Sequence, residues 1–410
     1  LIYITLYFTY FLGHGAYFSA LSPYVLSIYH ENANLIFLVS QMAFPIGYFA
    51  SGYLSDRLHA VKPLLIITLL LQIPAQYLLF VPHDSLFQVC MAAALTRFFF
   101  AFNFQLITIA SIEGGGIQKF GGYRAYGTAG FFLVHLLLFL LETLPLFSGW
   151  RVANESAELA GRASALLLTL AVIPAWFLQS KRISHESYDF AEAVRITLRP
   201  QTLILFTLSF FFYFSYQIVD FYIGGYFRDA GGMSLVYIGW CLAVLLEIPF
   251  MPLTSRIFQY HRGTSLFLIS TLVGSIRFAI LSANASGIML IPVLYTQILH
   301  GIHFTGFYMG TIYTLRRLYP DHLYGTGNGL FMIFAASFGG MAGNLFFGEI
   351  LHGNIPFQAG RLLPAISDGF GSIFFFASLL QITLFFSFIF YPLLLELKDR
   401  KNDPKSILRE

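Results

Sequence analysis

The side chains that could do chemistry in this sequence stand inside long apolar runs. Glu247 is the single carboxylate in the run from Gly239 to Pro252, and Arg277 is the single charge between Gly263 and Ala283. Asp220 follows Gln217 in an aromatic stretch, Phe214-Ser-Tyr-Gln-Ile-Val-Asp-Phe-Tyr. A charge at the centre of a bilayer costs about 2.5–3.5 kcal/mol on insertion scales, so each needs a partner or a task. Glu247 lies nine residues from Arg256, a rise of roughly 14 Å, and Arg277 lies fourteen from Gly263, roughly 21 Å up its own helix. We expect Glu247 and Arg277 to meet inside a helix bundle, with Asp220 competing for the same arginine. Burial favours a neutral carboxyl and a nearby guanidinium favours the carboxylate, so a carboxylate that gains and loses an arginine gives up and takes a proton. The bland alternatives are a purely structural ion pair and, for Asp220, an interfacial carboxylate in water.

His300 and His303 are three residues apart and share a helix face. Two histidines without a third ligand make no metal site, and His300 reads as a cavity hydrogen-bonder or proton relay. Arg97, in Leu-Thr-Arg-Phe-Phe-Phe, has Glu113 and Glu142 as candidate partners. Cys90 and Cys241 lie in apolar runs and read as small buried hydrophobes, not as a disulfide or a metal site.

What must position these groups is set by composition. Of 410 residues, 57% are hydrophobic and 10% charged, against roughly 25% charged in a soluble domain. Continuous apolar runs of about 20 residues cross ~30 Å of hydrocarbon as helices, and none shows the short alternating pattern of a β-barrel. Twelve spans are expected, at 1–28, 34–54, 62–82, 86–110, 123–147, 163–179, 201–227, 233–255, 263–283, 287–315, 326–351 and 369–395. There is no cleavable signal peptide pattern, and a leucine at position 1, already inside an apolar run, suggests that a few residues precede it. The fold class is all-α and integral to the membrane.

With both termini cytoplasmic, 17 of the 23 Lys and Arg fall on the inner side, which sets the expected orientation in a cell (inner) membrane. The net charge of +3 is this inside bias, and no nucleic-acid partner follows from it. The longest polar interruption, Ser180 to Pro200, divides the chain six helices from six. The expected organisation is a first bundle at 1–180, a cytoplasmic linker at 181–200, a second bundle at 201–397 and a tail at 398–410. Tyr126-Gly-Thr128 opens the fifth span and Tyr324-Gly-Thr326 the eleventh; Gly52-Tyr-Leu-Ser-Asp-Arg57 after span two is echoed by Pro252-Leu-Thr-Ser-Arg256 after span eight. Parallel repeats of this kind build secondary transporters, with the substrate site between the halves near mid-membrane.

These features resemble the major facilitator superfamily, whose second-to-third loop carries Gly-x-Leu-Ala-Asp-Arg. The chain departs from that pattern after Arg57, where the family usually has Gly and basic residues and this sequence has His59, Ala60 and Val61. The resemblance implies that Asp56 and Arg57 gate the cytoplasmic side, with Asp56 held near a helix N-terminus or an arginine. Within the superfamily, four stretches are similar to the nucleoside:proton symporters and the phenylpropionate-permease-like carriers, a branch related to lactose permease. Arg124-Ala-Tyr-Gly-Thr128-Ala-Gly-Phe131 resembles Arg-x-x-Gly-Thr-x-Gly-Phe, whose Arg, Thr and Phe contact nucleoside. Gln217-Ile-Val-Asp220 resembles Gln-Ile-Thr-Asn, with an acid for the amide. Glu247 matches a Glu that contacts ribose, although Val244 stands where the symporters have Gln. Gln297-Ile-Leu-His300-Gly-Ile-His-Phe304 matches a Tyr-Gly-x-x-Phe stretch and comes closer to the Leu-His-Gly of the permease-like carriers.

The resemblance implies substrate contacts at Arg124, Thr128, Phe131, Gln217, Asp220, Glu247, His300 and Phe304. Proton coupling is expected through Glu247, Asp220, Arg277 and His300. Phe131, Phe304, Tyr17 and Tyr213 sit on spans expected to line the cavity, with His14 as a further polar contact or a packing residue among glycines. The expected function is a proton-coupled symporter importing a small polar or amphipathic solute, nucleoside-like in character, by alternating access. It would act in the bilayer as a monomer, with the proton as coupling ion and no other cofactor. The rivals are a proton-coupled exporter on the same fold and a non-transporting membrane sensor. No Ser-Lys or His-Glu-x-x-His arrangement points to an intramembrane enzyme.

Overall fold

The computed structural model describes residues 1–29, 32–144, 153–179, 189–260, 263–283, 290–351, 354–363, 366 and 369–402, and among them there is no strand. The first half comprises α1 (Ile2–Ile28), α2 (Ala33–Leu58), α3 (Val61–Leu79), α4 (Leu86–Gly115), α5 (Ile117–Thr143) and α6 (Ala153–Trp176). A short helix, α7 (Phe190–Thr197), precedes the second half: α8 (Pro200–Phe221), α9 (Ile223–Leu245), α10 (Glu247–Tyr260), α11 (Thr264–Ala283), α12 (Leu290–Leu318), α13 (Tyr324–Phe331), α14 (Phe338–Leu351) and α15 (Phe370–Asn402). A π-helical turn, Met332–Ser337, joins α13 to α14. Ten stretches of the described residues are long and apolar enough to span a membrane. With α1 and α12, of 27 and 29 residues, they make the twelve crossings. In this count α9 and α10 form one crossing, and α13 with α14 another.

The helices depart from the expected spans for identifiable reasons. Gly116, at φ +83°, turns the chain between α4 and α5 without a loop, so α5 begins six residues before the apolar window does. Polar residues extend α6 back to Ala153, where Glu158 and Arg162 pair at 2.5 Å one turn apart. The eighth span is broken at Leu246. Pro249 has no N–H to give the Leu245 carbonyl, and its ring crowds that carbonyl; the helical ladder resumes from Phe250 N to Leu246 O at 3.1 Å. Glu247 therefore sits at the first position of α10.

The packing repeats. In the first half α1 packs on α5 and α6, α2 on α4, and α3 on α4 and α6. In the second, α8 packs on α14 and α15, α9 and α10 on α12, and α11 on α12 and α15. The two halves meet through α5 against α9 and α10, and through α2 against α13 and its π turn. Both seams need bare backbone: a Cβ on Gly52 would strike the Gly325 carbonyl, and one on Gly121 the Met251 carbonyl. Without lipid–water partition to drive helix against helix, such close approach and buried hydrogen bonds supply the cohesion. In the first half Thr68, Gln72, Asn103, Gln76 and Ser164 form one buried chain of hydrogen bonds at 2.5–3.3 Å across α3, α4 and α6.

The Asp56 end of the bundle is closed between the halves. Asp56 accepts from the Thr326 N–H at 2.6 Å and from its hydroxyl at 2.7 Å, at the start of α13, where helix N–H groups favour an anion. Gln105 donates to Gly325 O at 3.2 Å and accepts from Asn328 at 2.6 Å. Arg57 turns outward on α2 and donates to Tyr53 at 2.9 Å. His59 ends α2 in a left-handed conformation, φ +51°, which glycine adopts with least strain.

Candidate functional site

Between the halves lies a cavity of about 230 Å³. Its walls come from α1, α2, α4 and α5 on one side and from α8, α9, α10, α12, the π turn and the start of α14 on the other, while α3, α6, α11 and α15 stand behind them. The walls are largely aromatic, and helix periodicity arranges them in stripes. On α12, His300, Phe304 and Tyr308 recur every four residues with rings stacked at 6.0 and 5.6 Å. On α4, Phe100 and Phe104 do the same at 6.0 Å. The π turn widens the backbone where Met332, Ala336 and Ser337 reach the cavity; such turns recur at functional sites.

The floor carries the charge. The helix break points the Glu247 side chain across the seam, where Oε2 accepts from the Thr128 hydroxyl at 3.2 Å. Arg124, one turn earlier on α5, donates to the same hydroxyl oxygen at 3.2 Å. A hydroxyl has one proton to give and lone pairs to accept with, so Arg124, Thr128 and Glu247 form a directed relay in which the arginine and the carboxylate polarise the group between them. The guanidinium itself lies 4.1 Å over the Phe11 ring, with Phe104 and Tyr308 at 5.7 and 5.9 Å. Those ring faces, not a direct ion pair, stabilise its charge. His300 completes the floor. Its Nε2 is 3.6 Å from Glu247 Oε1, beyond a normal hydrogen bond, and 3.3 Å from the Tyr216 hydroxyl. Glu247 is 4% exposed and His300 3%.

Of the residues singled out in the sequence, Arg124, Thr128, Phe131, Gln217, Glu247, His300 and Phe304 all line this one cavity, as does Tyr213. Asp220 falls on the last turn of α8, and its side chain lies outside the described residues. Arg124 is buried. The expected Glu247–Arg277 pair does not form. Arg277 is fully buried behind the cavity wall, where its Nε donates to Thr296 O at 3.1 Å and its NH2 to Gln297 Oε1 at 3.2 Å. Thr296 and Gln297 lie a turn before His300 on α12, so the arginine holds that helix and leaves the carboxylate to Thr128. The face expected to be shared by His300 and His303 is divided: the two lie about 60° apart around the helix, and His303 packs against Gly274, Phe212 and Phe278 and not into the cavity. No group of three metal-ligating side chains occurs among the described residues. Arg97 pairs with neither Glu113 nor Glu142. It lines the cavity with its guanidinium over Phe44 and Phe100, at 4.5 and 5.3 Å. Tyr17 borders a smaller side chamber beside Arg97, not the main cavity.

Sequence reasoning missed Tyr216, Trp240 and the Phe11–Phe104–Tyr308 cage. The four-residue recurrence of ring side chains after His300 and Phe100 was the available signal. It is hard to read in a chain with 47 Phe and 24 Tyr.

Comparison with known proteins agrees with this architecture. The profile of the MFS_1 like family matches residues 3–359. No curated protein matches the chain by sequence. Among solved structures, a point mutant of the nucleoside transporter NupG superposes with a TM-score of 0.72 at 15% identity, covering 95% of this chain and 99% of that one. The proton:xylose symporter XylE superposes with a TM-score of 0.69 at 13% identity, covering 94% of each chain. The E. coli fucose:proton symporter FucP gives 0.65 at 11% identity, over 95% of this chain and 97% of that one. The chain belongs to the MFS_1 like family; it is a multi-pass membrane transporter with the major facilitator fold, not an enzyme.

Proposed function

We propose that this transporter is a proton-coupled symporter that imports a small polar or amphipathic solute, nucleoside-like in having a flat ring and hydroxyls, by alternating access. The observation that carries the reading is Glu247: a buried carboxylate at a helix break, held across the seam by Thr128 and facing His300. Its position lets one group meet both substrate and proton. The carboxylate is bonded to the first half from the second, so rocking of the halves changes its partners, and a changed environment changes its hold on a proton. Proton-coupled sugar carriers and a nucleoside transporter among the fold's neighbours support the coupling and the solute class.

In this reading the Asp56 end is cytoplasmic, as the Lys and Arg bias of the loops suggests, and the halves 1–180 and 201–397 rock about the cavity on the 181–200 linker. Solute enters from the opposite end and stacks on the aromatic stripes. Its hydroxyls replace or join the bonds among Thr128, Gln217 and Glu247, and Asp220 and His300 assist the proton. The chain acts as a monomer, since both walls of the cavity come from one chain. The test is uptake of uridine and other nucleosides into proteoliposomes under an imposed pH gradient. Concentrative uptake is expected for the wild type. Glu247→Gln should lose accumulation while retaining exchange down a gradient. Undiminished accumulation by Glu247→Gln removes this residue from the mechanism, and efflux driven by the opposite gradient makes the protein an exporter.

A further inference from the structure

The cavity has a second polar pole that the proposed cycle does not use. Arg97 projects into it from α4, seven residues before Phe104, which places it about 10 Å from the Arg124 cage along the helix. Among the described residues Arg97 makes no ion pair or hydrogen bond; its neighbours are the faces of Phe44 and Phe100. Two polar side chains lining the same cavity are unsatisfied beside it. His14, 5% exposed and stacked on Phe100 at 3.8 Å, has no partner for Nδ1. Gln41 has none for either amide atom. Buried polar groups are nearly always paired, so an imidazole and an amide that the chain itself leaves unpaired are available to a solute in the cavity.

The charge count points the same way. The described lining holds two guanidiniums, Arg97 and Arg124, and one carboxylate, Glu247. A positive excess inside a membrane-spanning bundle favours a counter-charge, even with Arg97 only partly buried. A guanidinium, an amide and an imidazole lining one cavity are a donor set for an oxygen anion. The stacked Phe100 and Phe104 rings form the wall between the two poles.

We propose that Arg97, Gln41 and His14 form an anion subsite, so that the transported solute is an organic anion. Its carboxylate or phosphate sits on Arg97, its flat ring lies on Phe100 and Phe104, and its hydroxyls reach Thr128 and Glu247. The proposal rests on the reading of the Glu247 cavity as the substrate site, and narrows its substrate class.

The test is the concentration dependence of thermal stabilisation of the full detergent-solubilised chain, since a ligand of the folded state raises its stability. The probes are uridine, uridine 5′-carboxylate and uridine 5′-monophosphate. At least one anion should bind the wild type about tenfold tighter than uridine, the increment of a charge-assisted hydrogen bond. Which anion gains more tells carboxylate from phosphate. Arg97→Gln should erase that preference and leave uridine within about twofold, and Arg97→Lys should retain part of it. Equal binding of all three by the wild type, no stabilisation by any, or equal weakening of all three by Arg97→Gln each overturn the subsite. Glu247→Gln separates the two ideas. If it leaves all three probes unaffected while Arg97→Gln acts as expected, the Glu247 reading fails and the anion subsite stands; the converse result leaves Glu247 and removes Arg97.

Discussion

The Thr128 hydroxyl lies 3.2 Å from Glu247, and its counterpart in the second half, Thr326, lies 2.7 Å from Asp56. Each threonine closes a Tyr-Gly-Thr triplet, and each reaches an acid on the opposing half. One junction is at the cavity floor and the other at the closed end of the bundle. The repeat thus places one side-chain hydroxyl on each seam between the halves.

Thr128→Val should weaken the floor by removing the donor to Glu247 and the acceptor for Arg124. The cost is about 1–3 kcal/mol for a buried partner left unsatisfied. Uptake in proteoliposomes is expected to fall roughly tenfold or more, and Thr128→Ser to restore most of it. Loss in the serine variant with uptake retained in the valine variant would assign the role to packing of the threonine methyl, which valine keeps and serine lacks.

Asp56→Asn removes a charge-assisted contact to the Thr326 N–H and hydroxyl. Such bonds contribute about 1.5–3 kcal/mol, so the population should shift toward opening of the Asp56 end by roughly tenfold to a hundredfold. Cysteine labelling at Asn328, which is 3% exposed here, reads this directly. Unchanged labelling would mean that Gln105 and the Gly52–Gly325 contact hold the end closed alone.

Arg277 should couple to Gln297 and not to Glu247. In double-mutant cycles of thermal stability, Arg277→Met with Gln297→Leu is expected to deviate from additivity by about 0.5–3 kcal/mol. Arg277→Met with Glu247→Gln should add within about 0.5 kcal/mol. Strong coupling in the second cycle would show that the arginine reaches the carboxylate in another state of the carrier.

His59→Gly should stabilise the protein. The left-handed backbone at φ +51° costs a residue with a Cβ about 1–2 kcal/mol, partly offset by the greater freedom of glycine in the unfolded chain. A higher melting temperature with unaltered transport is the expected result; a lower one would show that the His59 ring contributes packing worth more than the strain.

Much of the fold was legible because hydrophobic run length and helix periodicity are local. The bounds of α8, α11 and α15 begin within one residue of the apolar windows. Pro249 and Gly116 are visible in the sequence, yet their effects, a broken eighth span and a loopless turn before α5, depend on which backbone bonds the surrounding helices can do without. The Glu247–Arg277 expectation failed for a related reason. Two costly charges on neighbouring spans suggest each other, but sequence gives no azimuth for a helix in a bundle. Arg277 faces away from the cavity toward the α12 backbone, and Glu247 faces across the seam.

By itself the sequence determined that the chain crosses the membrane twelve times in two repeated halves, because apolar length and repeat offset need no tertiary information. It also determined which rare polar side chains demand an explanation, because a charge in an apolar run is costly wherever it faces. Only the tertiary structure decided their partners. Hydrogen-bond geometry within about 3.5 Å depends on helix rotation, on the break at Leu246 and on close glycine contacts between the halves. Those placed Glu247 on Thr128, Arg124 in a cage of rings, Asp56 at the start of α13 and Arg97 in the cavity with no counter-charge among the described residues.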